Sequence, residues 1–415
     1  MSTSTREPGD VIVKNIELKN ASTGAKVNPL DQLVGFDVFE DITKPTMVAM
    51  LYFNDQINLI DTFPIVGEET ITFSIQTPGM LQPTTYYFRV FEITNIVRQE
   101  NDKGATYTVK CVSEEHFYNN RLVNQSYNTT VDQIIPQILS QYLNSKKDII
   151  VDKTKGVQKL VIPSLHPLEA IDMCRQRAVS ANYAASAFVF FENQSGFNFK
   201  TIEGLIRSGR ANIGTRVFNA QTNAAGDKDT DSAGFRSILS YEKITSTDVN
   251  KRLQNNIFKS QTEVFDMLTK EVNKTDFKIT DVFSKITTPD KAAQLTNTVQ
   301  FLEKFADSGS PGFFVPKDSS RPDDFMDTAV ALKNSINVLL NSEVTRVVIN
   351  GDSGLRVGDI ITLRLPETSG LTKKQSTNTL SSGNYLITRL RHMIDISTKN
   401  KHRVVFDCTR LGLPK

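Results

Sequence analysis

Apolar and polar residues alternate along much of the first 117 residues, a pattern typical of half-buried β-strands. Three of these segments are especially rich in β-branched and aromatic residues, namely 11–13, 16–18 and 48–53. Residues 86–97 and 105–112 flank the turn-forming segment 101–104 and are predicted to pair as a hairpin. Residues 10–117 are therefore predicted to form one β-domain.

A short strand pattern occurs twice, once near each end of the chain. In each copy a glycine and a carboxylate precede an apolar-Thr-apolar strand; these residues are Gly67, Glu68 and Thr72, and then Gly358, Asp359 and Thr362. Each copy continues with an Ile-Thr strand, at 93–94 and at 387–388, and then with a strand that carries Cys111 or Cys408. The pattern predicts two equivalent β-modules defined by these glycines, carboxylates and threonines.

From about residue 128 the apolar period becomes helical. Apolar residues between 131 and 143 share one face, and Thr129 or Thr130 is the expected N-cap. Pro136 lies inside this stripe and is expected to kink the helix or delay its start. A second helix is predicted from His166 and Pro167, because proline favours the first helical position. Paired strands should follow at 187–191 and 197–199, so residues 118–205 are predicted to form an α/β accessory domain.

The second module is predicted to be discontinuous. Residues 206–234 indicate a long exposed loop, followed by a strand at 237–243 and a short helix capped by Ser246 or Thr247. An amphipathic helix is predicted after Pro322, and a strand pattern resumes at Val344. Residues 206–248 and 343–412 should therefore form the second β-domain, with 249–342 as an inserted accessory domain. The expected fold class is α+β and β-rich, with two β-modules and two smaller accessory domains.

Composition excludes some functions. The 415 residues allow two to four domains, and 48 basic residues against 46 acidic ones give a net charge of +2. Such a balance argues against a dedicated nucleic-acid binder. No apolar run reaches membrane-spanning length, and no signal peptide is visible. The three cysteines form no CxxC pair, so we expect buried reduced thiols and maturation in a reducing compartment.

No catalytic, cofactor or metal site is expected. The four histidines lack metal-ligand spacing and are interpreted as surface or cap residues, with His166 capping a helix. Asp227, Asp229 and Asp231 alternate like a calcium loop, but Ser232 and Ile238 stand where that loop needs Gly and Glu, which favours a solvated acidic loop over a weak cation site. The adjacent residues Glu114, Glu115 and His116 would point to opposite faces of a strand. The protein is therefore predicted not to be an enzyme.

Three sets of segments resemble one family. Asn58-Leu59-Ile60 followed by residues 63–69 is similar to the first tube-domain signature of baseplate central hub proteins of contractile-tailed bacteriophages. Residues 167–180, 188–193 and 196–199 resemble a second stretch of that family. Residues 355–359 and 384–388 resemble its second tube domain. The similarity extends over residues 10–412, and the order of the segments agrees.

The resemblance implies a homotrimeric, non-enzymatic structural protein of the virion, with two tail-tube-like modules per chain in a pseudo-sixfold ring. Its implied partners are the hexameric tail tube or tube-initiator proteins, the trimeric spike or needle protein and, as a further candidate, the tape-measure protein. DNA would pass through the lumen as cargo only. The implied location is the tail baseplate, after assembly in the host cytoplasm, with no membrane partner and no cofactor.

Two alternatives stay open at the level of sequence. The chain could be the hub of a related contractile injection machine, such as a tailocin or a type VI secretion spike, and fusion to an OB-like domain and a β-helical needle would favour the secretion spike. Because the sequence ends at Lys415, soon after the second module, the spike is expected to be a separate protein. The chain could instead be a tail-associated cell-wall hydrolase, which would need paired carboxylates, a Cys/His pair or a metal site.

Overall fold

The computed structural model describes most of the chain. The described residues are 7–63, 65–98, 104–220, 234–245, 249–290, 304–305, 311–318, 320, 325–366, 378, 381–397 and 400–412. Several residues that the sequence singled out lie outside these ranges, namely Asp227, Asp229, Asp231, Ser232, Ser246, Thr247 and Pro322.

The strands are numbered in chain order. Those of the first half are β1 Ile12–Lys19, β2 Lys26–Val27, β3 Leu33–Asp41, β4 Val48–Asp55, β5 Thr70–Gln76, β6 Thr84–Arg98, β7 Ala105–Val112, β8 Val123–Thr129, β9 Ile149–Val151, β10 Gln158–Leu165, β11 Phe188–Asn193 and β12 Gly196–Thr201. Those of the second half are β13 Val217–Asn219, β14 Ile238–Thr245, β15 Lys259–Asp266, β16 Val272–Lys278, β17 Pro311–Lys317, β18 Val344–Asn350, β19 Ile360–Arg364, β20 Gly383–Asp395 and β21 Lys401–Thr409.

The helices are shorter and lie mostly outside the two strand-rich ends. They are α1 Leu59–Thr62, α2 Val131–Gln141, α3 Pro167–Arg177, α4 Ile202–Gly209, α5 Val249–Gln254, α6 Ile279–Phe283 and α7 Met326–Leu340. Short 3-10 helices cover Leu30–Gln32, Glu114–Asn120 and Arg210–Asn212. The predicted β-rich α+β class is confirmed.

Among the described residues, 13 strands form one continuous sheet. Its first half, module 1, has the order β3-β4-β7-β6-β5-β1, with β2 beside β1. Its second half, module 2, has the order β14-β18-β21-β20-β19-β13. The halves join where β20 pairs with β3 in antiparallel register. Burial alternates along β4 and β18, because successive side chains of a strand point to opposite faces of the sheet.

The buried apolar side chains of the described residues form three hydrophobic clusters. One hydrophobic cluster lies under module 1, and a second contains the core of module 2. A third cluster lies between α2, α3 and the strands β8 to β12. The helix α7 packs Ile336 and Leu339 into the cluster of module 2, which attaches the three-stranded sheet β16-β15-β17 to that module.

The helices follow the sequence pattern closely. The helix α2 begins at Val131, directly after Thr130, and continues past Pro136, so its start is not delayed. His166 is the N-cap of α3, and its backbone N–H donates to the Glu169 carboxylate. Residues 114–120 form a 3-10 helix, so the prediction that Glu114, Glu115 and His116 lie on a strand was wrong. Ser113, which precedes this helix, is fully buried beside Glu192.

Candidate assembly surface

The two modules have the same strand connectivity. In module 1 the strands β3 to β7 occur in chain order and take the spatial order β3-β4-β7-β6-β5. In module 2 the strands β14, β18, β19, β20 and β21 take the same spatial order. The final strand differs, because β1 pairs with β5 antiparallel whereas β13 pairs with β19 parallel. A side chain of one module therefore has an identifiable counterpart in the other.

The two cysteines fix the register of this correspondence. Cys111 lies opposite Val90 on β6, and Cys408 lies opposite Ile387 on β20. In both strands the next residue, Phe91 or Thr388, is a bulge that has no partner in the ladder. The Ile-Thr match expected from the sequence, 93–94 with 387–388, is therefore corrected: Ile387 corresponds to Val90. A bulge changes the register without leaving a mark in the hydrophobic pattern.

The turn before β5 and β19 shows the same shift. The backbone N–H of Val90 donates to the carbonyl of Glu69, and the N–H of Ile387 donates to the carbonyl of Asp359. Asp359 therefore corresponds to Glu69 and not to Glu68, whose backbone N–H donates to the Glu69 carboxylate. The signal was present in the sequence, because Glu69 is the carboxylate directly before its strand, as Asp359 is. Thr72 and Thr362 do occupy counterpart positions, each three residues after these carboxylates.

Both glycines adopt a conformation that other residues avoid. Gly67 has a φ of +98° and Gly358 a φ of +88°, in the left-handed region. Their surroundings differ. A Cβ on Gly67 would have the Phe91 carbonyl oxygen as its nearest neighbour at 3.8 Å, whereas a Cβ on Gly358 would meet Leu205 at 3.2 Å.

Carboxylates hold the two turns in different ways. The Glu69 side chain is buried and accepts hydrogen bonds from the backbone N–H groups of Val66, Gly67 and Glu68 at 2.9, 3.0 and 3.1 Å. The Asp359 carboxylate accepts one backbone N–H, from Arg356, and pairs with the Arg216 guanidinium. The backbone N–H groups of the first turn are thus hydrogen-bonded within that turn, while Arg216 links the second turn to the segment before β13.

The joint between the modules uses one half of β20. Residues 383–386 of this strand pair with β19, and residues 389–395 pair with β3 along the same edge. Two guanidinium groups reinforce the joint: Arg389 contacts Asp41 at 3.1 Å, and Arg391 contacts Asp37 at 2.6 Å. The Tyr52 hydroxyl also donates to Asp37 at 2.6 Å, and burial together with that hydrogen bond raises the pKa of Tyr52 to about 12.

On one face of module 2, called the outward face, positive and negative side chains alternate from strand to strand up to this joint. Arg346 on β18 contacts Glu242 on β14 at 3.7 Å and Asp407 on β21 at 2.8 Å. Asp407 lies 4.0 Å from Arg389 on β20, which in turn pairs with Asp41. Each guanidinium on this path therefore faces carboxylates on both sides, and the charge along it is largely balanced.

Glu40 lies beneath the joint, where three parts of the chain meet. Its buried carboxylate accepts backbone N–H groups from Val357 at 3.0 Å and from Gln194 at 3.2 Å. Burial raises the pKa of Glu40 to about 8, and the nearby Asp359 acts in the same direction against those two hydrogen bonds and Arg356. Sequence reasoning missed Glu40, because its neighbours lie more than 150 residues away in the chain.

A second buried polar cluster joins module 1 to the accessory segment, which contains α2, α3 and the strands β8 to β12. The Lys147 ammonium contacts Glu115 at 2.7 Å and Glu192 at 2.5 Å, and Ser113 donates to Glu192 at 2.5 Å. Burial raises the pKa of Glu192, with Lys147 opposing that effect. Because every carboxylate here is held by an ammonium or hydroxyl partner, the cluster is suited to fixing the position of the accessory segment.

The histidines correct one prediction. His392 and His402 are fully buried, with Nδ1 of the first 3.0 Å from Nε2 of the second, so the expectation of surface histidines was wrong for this pair. Burial lowers the pKa of His392 to about 4 and lowers the pKa of His402 well below its usual value. His116 is exposed, and no group of three or more potential metal ligands occurs within the described ranges.

The three cysteines, all within the described residues, are free and buried, as predicted. Burial raises the pKa of the Cys174 thiol to about 12 and also raises the pKa of Cys111 and of Cys408. Inert thiols are the consequence. Among the helices that the structure describes, none combines the length and apolar character needed to span a bilayer.

Among the strand edges that lack a partner in the described residues, two lie at opposite ends of the strand series β14-β18-β21-β20-β3-β4-β7-β6. The second half of β6 pairs only with β7, and β14 pairs only with β18, as far as the described residues go. Large exposed apolar side chains lie on both strands, namely Phe91, Ile96 and Val97 on β6 and Leu239, Tyr241 and Ile244 on β14. Open apolar edges attract further strands, so these two are the surfaces on which a partner is expected.

Comparison with known proteins identifies the fold. No family model matches the sequence, and no curated protein matches it. The tail protein from Neisseria meningitidis MC58 has a similar structure, with a TM-score of 0.54 and 9% identity over 95% of each chain. The 43 kDa tail protein of prophage MuSo2 from Shewanella oneidensis has a TM-score of 0.51 and 10% identity, over 97% of this chain and 100% of that chain. The chain thus shares the fold of these two tail proteins over nearly its whole length.

Proposed function

We propose that this protein is a non-enzymatic structural component of a phage tail, a homotrimeric baseplate hub between the hexameric tail tube and the trimeric spike. The four predicted segments, 10–117, 118–205, 206–248 with 343–412, and 249–342, are its proposed domains. The observation that carries the proposal is the presence of two modules of identical five-strand connectivity in one sheet.

Symmetry explains why a duplicated module suits this role. Six identical tube subunits can make six equivalent contacts with a trimer only if each chain supplies two similar surfaces. The same chain can bind a threefold partner through features that differ between its modules, such as the turns at Glu69 and Asp359. In the proposed ring the outward face of the paired strands lines the lumen, where the ion pairs of Arg346 and Arg389 limit adhesion of passing DNA.

The proposed partners are further copies of the chain, the spike or needle protein, and the tail tube or its initiator proteins, with the tape-measure protein as an additional contact. The proposed location is the tail baseplate of the virion, after assembly in the host cytoplasm. Contacts within a permanent ring are expected to bury roughly 2,000 Å² or more per interface.

The test is the mass and shape of the purified protein. Light scattering at micromolar concentration should give three times the chain mass, and electron micrographs should show a ring with sixfold outline and threefold symmetry. A strict monomer, both alone and with a trimeric spike protein added, would contradict the proposal. Clearing of purified peptidoglycan by the protein would instead favour a cell-wall hydrolase.

A further inference from the structure

The joint inside the chain shows how the two open edges can be used. The strand β20 pairs with β19 through residues 383–386 and with β3 through residues 389–395. Its counterpart β6 pairs with β5 through residues 84–89, and no strand among the described residues covers the same edge of residues 92–97. The open half of β6 is therefore the counterpart of the half of β20 that holds β3.

The other open edge is the counterpart of β3. In module 1, β3 pairs with β4, whose Ala49 lies opposite Cys111. In module 2, β14 pairs with β18, whose Thr345 lies opposite Cys408. The far edge of β3 is covered by β20, while the far edge of β14 has no strand partner in the described part of the chain. The open edge of β6 thus matches the edge of β20 at the internal joint, and the open edge of β14 matches the edge of β3 there.

We propose that residues 94–97 of β6 pair antiparallel with residues 242–245 of β14 in a second copy of this chain, with Val97 opposite Glu242. The proposal rests on the trimer proposed above and adds the strands and register that close it. A contact between two different surfaces is head-to-tail, so it forms a closed ring when its rotation permits closure.

The register follows from counterpart positions. Met393 on β20 lies opposite Asp37 on β3 and, on its other side, opposite Arg403. Val97 lies opposite Thr106, and Thr106 precedes Cys111 by the same five residues that separate Arg403 from Cys408. Val97 is therefore the counterpart of Met393.

The same argument places Glu242. Asp37 lies opposite Met50, the residue after Ala49, and Glu242 lies opposite Arg346, the residue after Thr345. Glu242 is therefore the counterpart of Asp37. Since Met393 and Asp37 are neighbours across the internal joint, Val97 and Glu242 should be neighbours across the joint between copies.

Compared with β20 and β3, the strands β6 and β14 each have one extra residue, and the two extra residues fall at matching positions of the proposed strand pair. On β20 a single residue separates Arg391 from Met393, but on β6 two residues separate their counterparts Thr94 and Val97. On β3 the residues at 38 and 39 are consecutive, but on β14 Ile244 lies between their counterparts. An insertion in one strand alone would shift the register, whereas matched insertions on both strands preserve it beyond the bulge.

Burial shows what the missing strand would cover. Phe36 on β3 is 1% exposed, whereas its counterpart Tyr241 on β14 is 40% exposed. Both residues lie opposite a buried aliphatic residue of the neighbouring strand, Leu51 or Val347. Phe36 packs on Phe73 of β5 and lies on a strand whose far edge is covered by β20, whereas the far edge of β14 has no strand partner in the described residues.

Disulfide trapping tests the register. The double variant Val97→Cys/Glu242→Cys should form intermolecular disulfides on mild oxidation, because residues directly opposite in an antiparallel pair have the Cα separation that a disulfide needs. Closed rings should give a covalent trimer in denaturing gels without reductant. The native cysteines are buried and should not contribute.

A matched control has its second cysteine two residues away on the same face, as Val97→Cys/Ser240→Cys. Its diagonal separation of about 7 Å or more should reduce the cross-linked product roughly tenfold. Each single variant should give no trimer, whereas an equimolar mixture of the two single variants should give cross-linked heterodimers.

The outcomes separate the two proposals. A trimeric mass with equal or greater cross-linking in the shifted control would overturn the register and leave the trimer intact. Cross-linking at Val97 and Glu242 that produces an open ladder beyond three chains would support the register and contradict the closed hub. A monomeric mass without cross-linking would overturn both.

Discussion

The two modules share a backbone plan but use different side chains at the same positions. Both have the same five-strand connectivity and the same bulge after the residue opposite the cysteine. The turn of module 1 is satisfied by its own Glu69, while that of module 2 depends on Arg216. The two modules thus share the hydrogen-bonded frame, which many contacts depend on, while the side chains at matching positions contact different neighbours.

Charge shows the same divergence on the outward face. Module 2 has Arg346, Asp407 and Arg389 on three adjacent strands, joined as ion pairs. The counterparts in module 1 are Met50, Lys110 and Glu92, which leave one ion pair of reversed sign, Lys110 with Glu92 at 2.9 Å. Substitutions at counterpart positions can therefore measure how far the two modules have diverged.

The largest expected effect is at the joint, where Glu40 is buried. Its pKa of about 8 in the folded protein exceeds the ordinary value of 4.5, so the folded state holds a proton that the unfolded state loses. This stabilisation is complete below pH 4.5 and is lost as pH rises to 8, by about 4 kcal/mol between pH 5 and pH 8. Urea denaturation of the wild type and of Glu40→Gln should show this loss as a change in the difference between their two profiles, because the buried pair of His392 and His402, whose lowered pKa values add stability as pH rises from 5 to 7, is common to both proteins. Parallel profiles would show that Glu40 is not the source.

The two glycines should differ in their tolerance of a side chain. Gly358→Val should cost about 3 kcal/mol, from left-handed backbone strain together with overpacking against Leu205. Gly67→Val should cost only the strain, about 1 to 2 kcal/mol, because nothing lies closer than 3.8 Å. Thermal unfolding of both variants, with the matching alanine variants as controls, measures the difference. Equal losses would mean that module 2 accommodates the side chain by moving Leu205.

The ion pairs of the two modules should also differ in their contribution to stability, with the larger contribution in module 2. Asp407→Asn removes a largely buried carboxylate that accepts two hydrogen bonds from Arg346, at 2.8 and 3.1 Å, and should cost about 2 kcal/mol. The counterpart change Lys110→Met removes a partly exposed pair and should cost less than about 0.5 kcal/mol. Chemical denaturation at low and high salt compares them, since salt should weaken only the exposed pair. An equal cost would contradict the proposed divergence.

The smallest effect should be the same in both modules. Cys111 and Cys408 are equally buried at counterpart positions, so Cys111→Ala and Cys408→Ala should each cost about 1 kcal/mol. Both thiols should also stay unreactive toward a thiol reagent until the protein unfolds. Rapid labelling of one thiol in the native protein would break the equivalence of the modules.

The strands and helices could be predicted because their causes are local. The helix α3 follows from Pro167 and a face of apolar residues, and the hairpin of β11 and β12 follows from aromatic alternation around a glycine turn. Glu40 and the pair of His392 with His402 could not be predicted. The neighbours of Glu40 come from turns that are distant in sequence, and for the two histidines, which lie ten residues apart on adjacent strands, one residue of register decides whether a side chain is buried.

The sequence by itself determined the β-rich class and the presence of a repeated strand pattern, because hydrophobic periodicity and turn residues act over short distances. Only the tertiary structure decided the register of that repeat, which moved the counterpart of Asp359 from Glu68 to Glu69 and that of Ile387 from Ile93 to Val90. The physical reason is that bulges and strand pairing are set by hydrogen bonds between distant segments. Within the described residues, the same long-range pairing leaves one edge of β14 and of residues 92–97 of β6 without a strand partner, and no periodicity in the sequence indicates that.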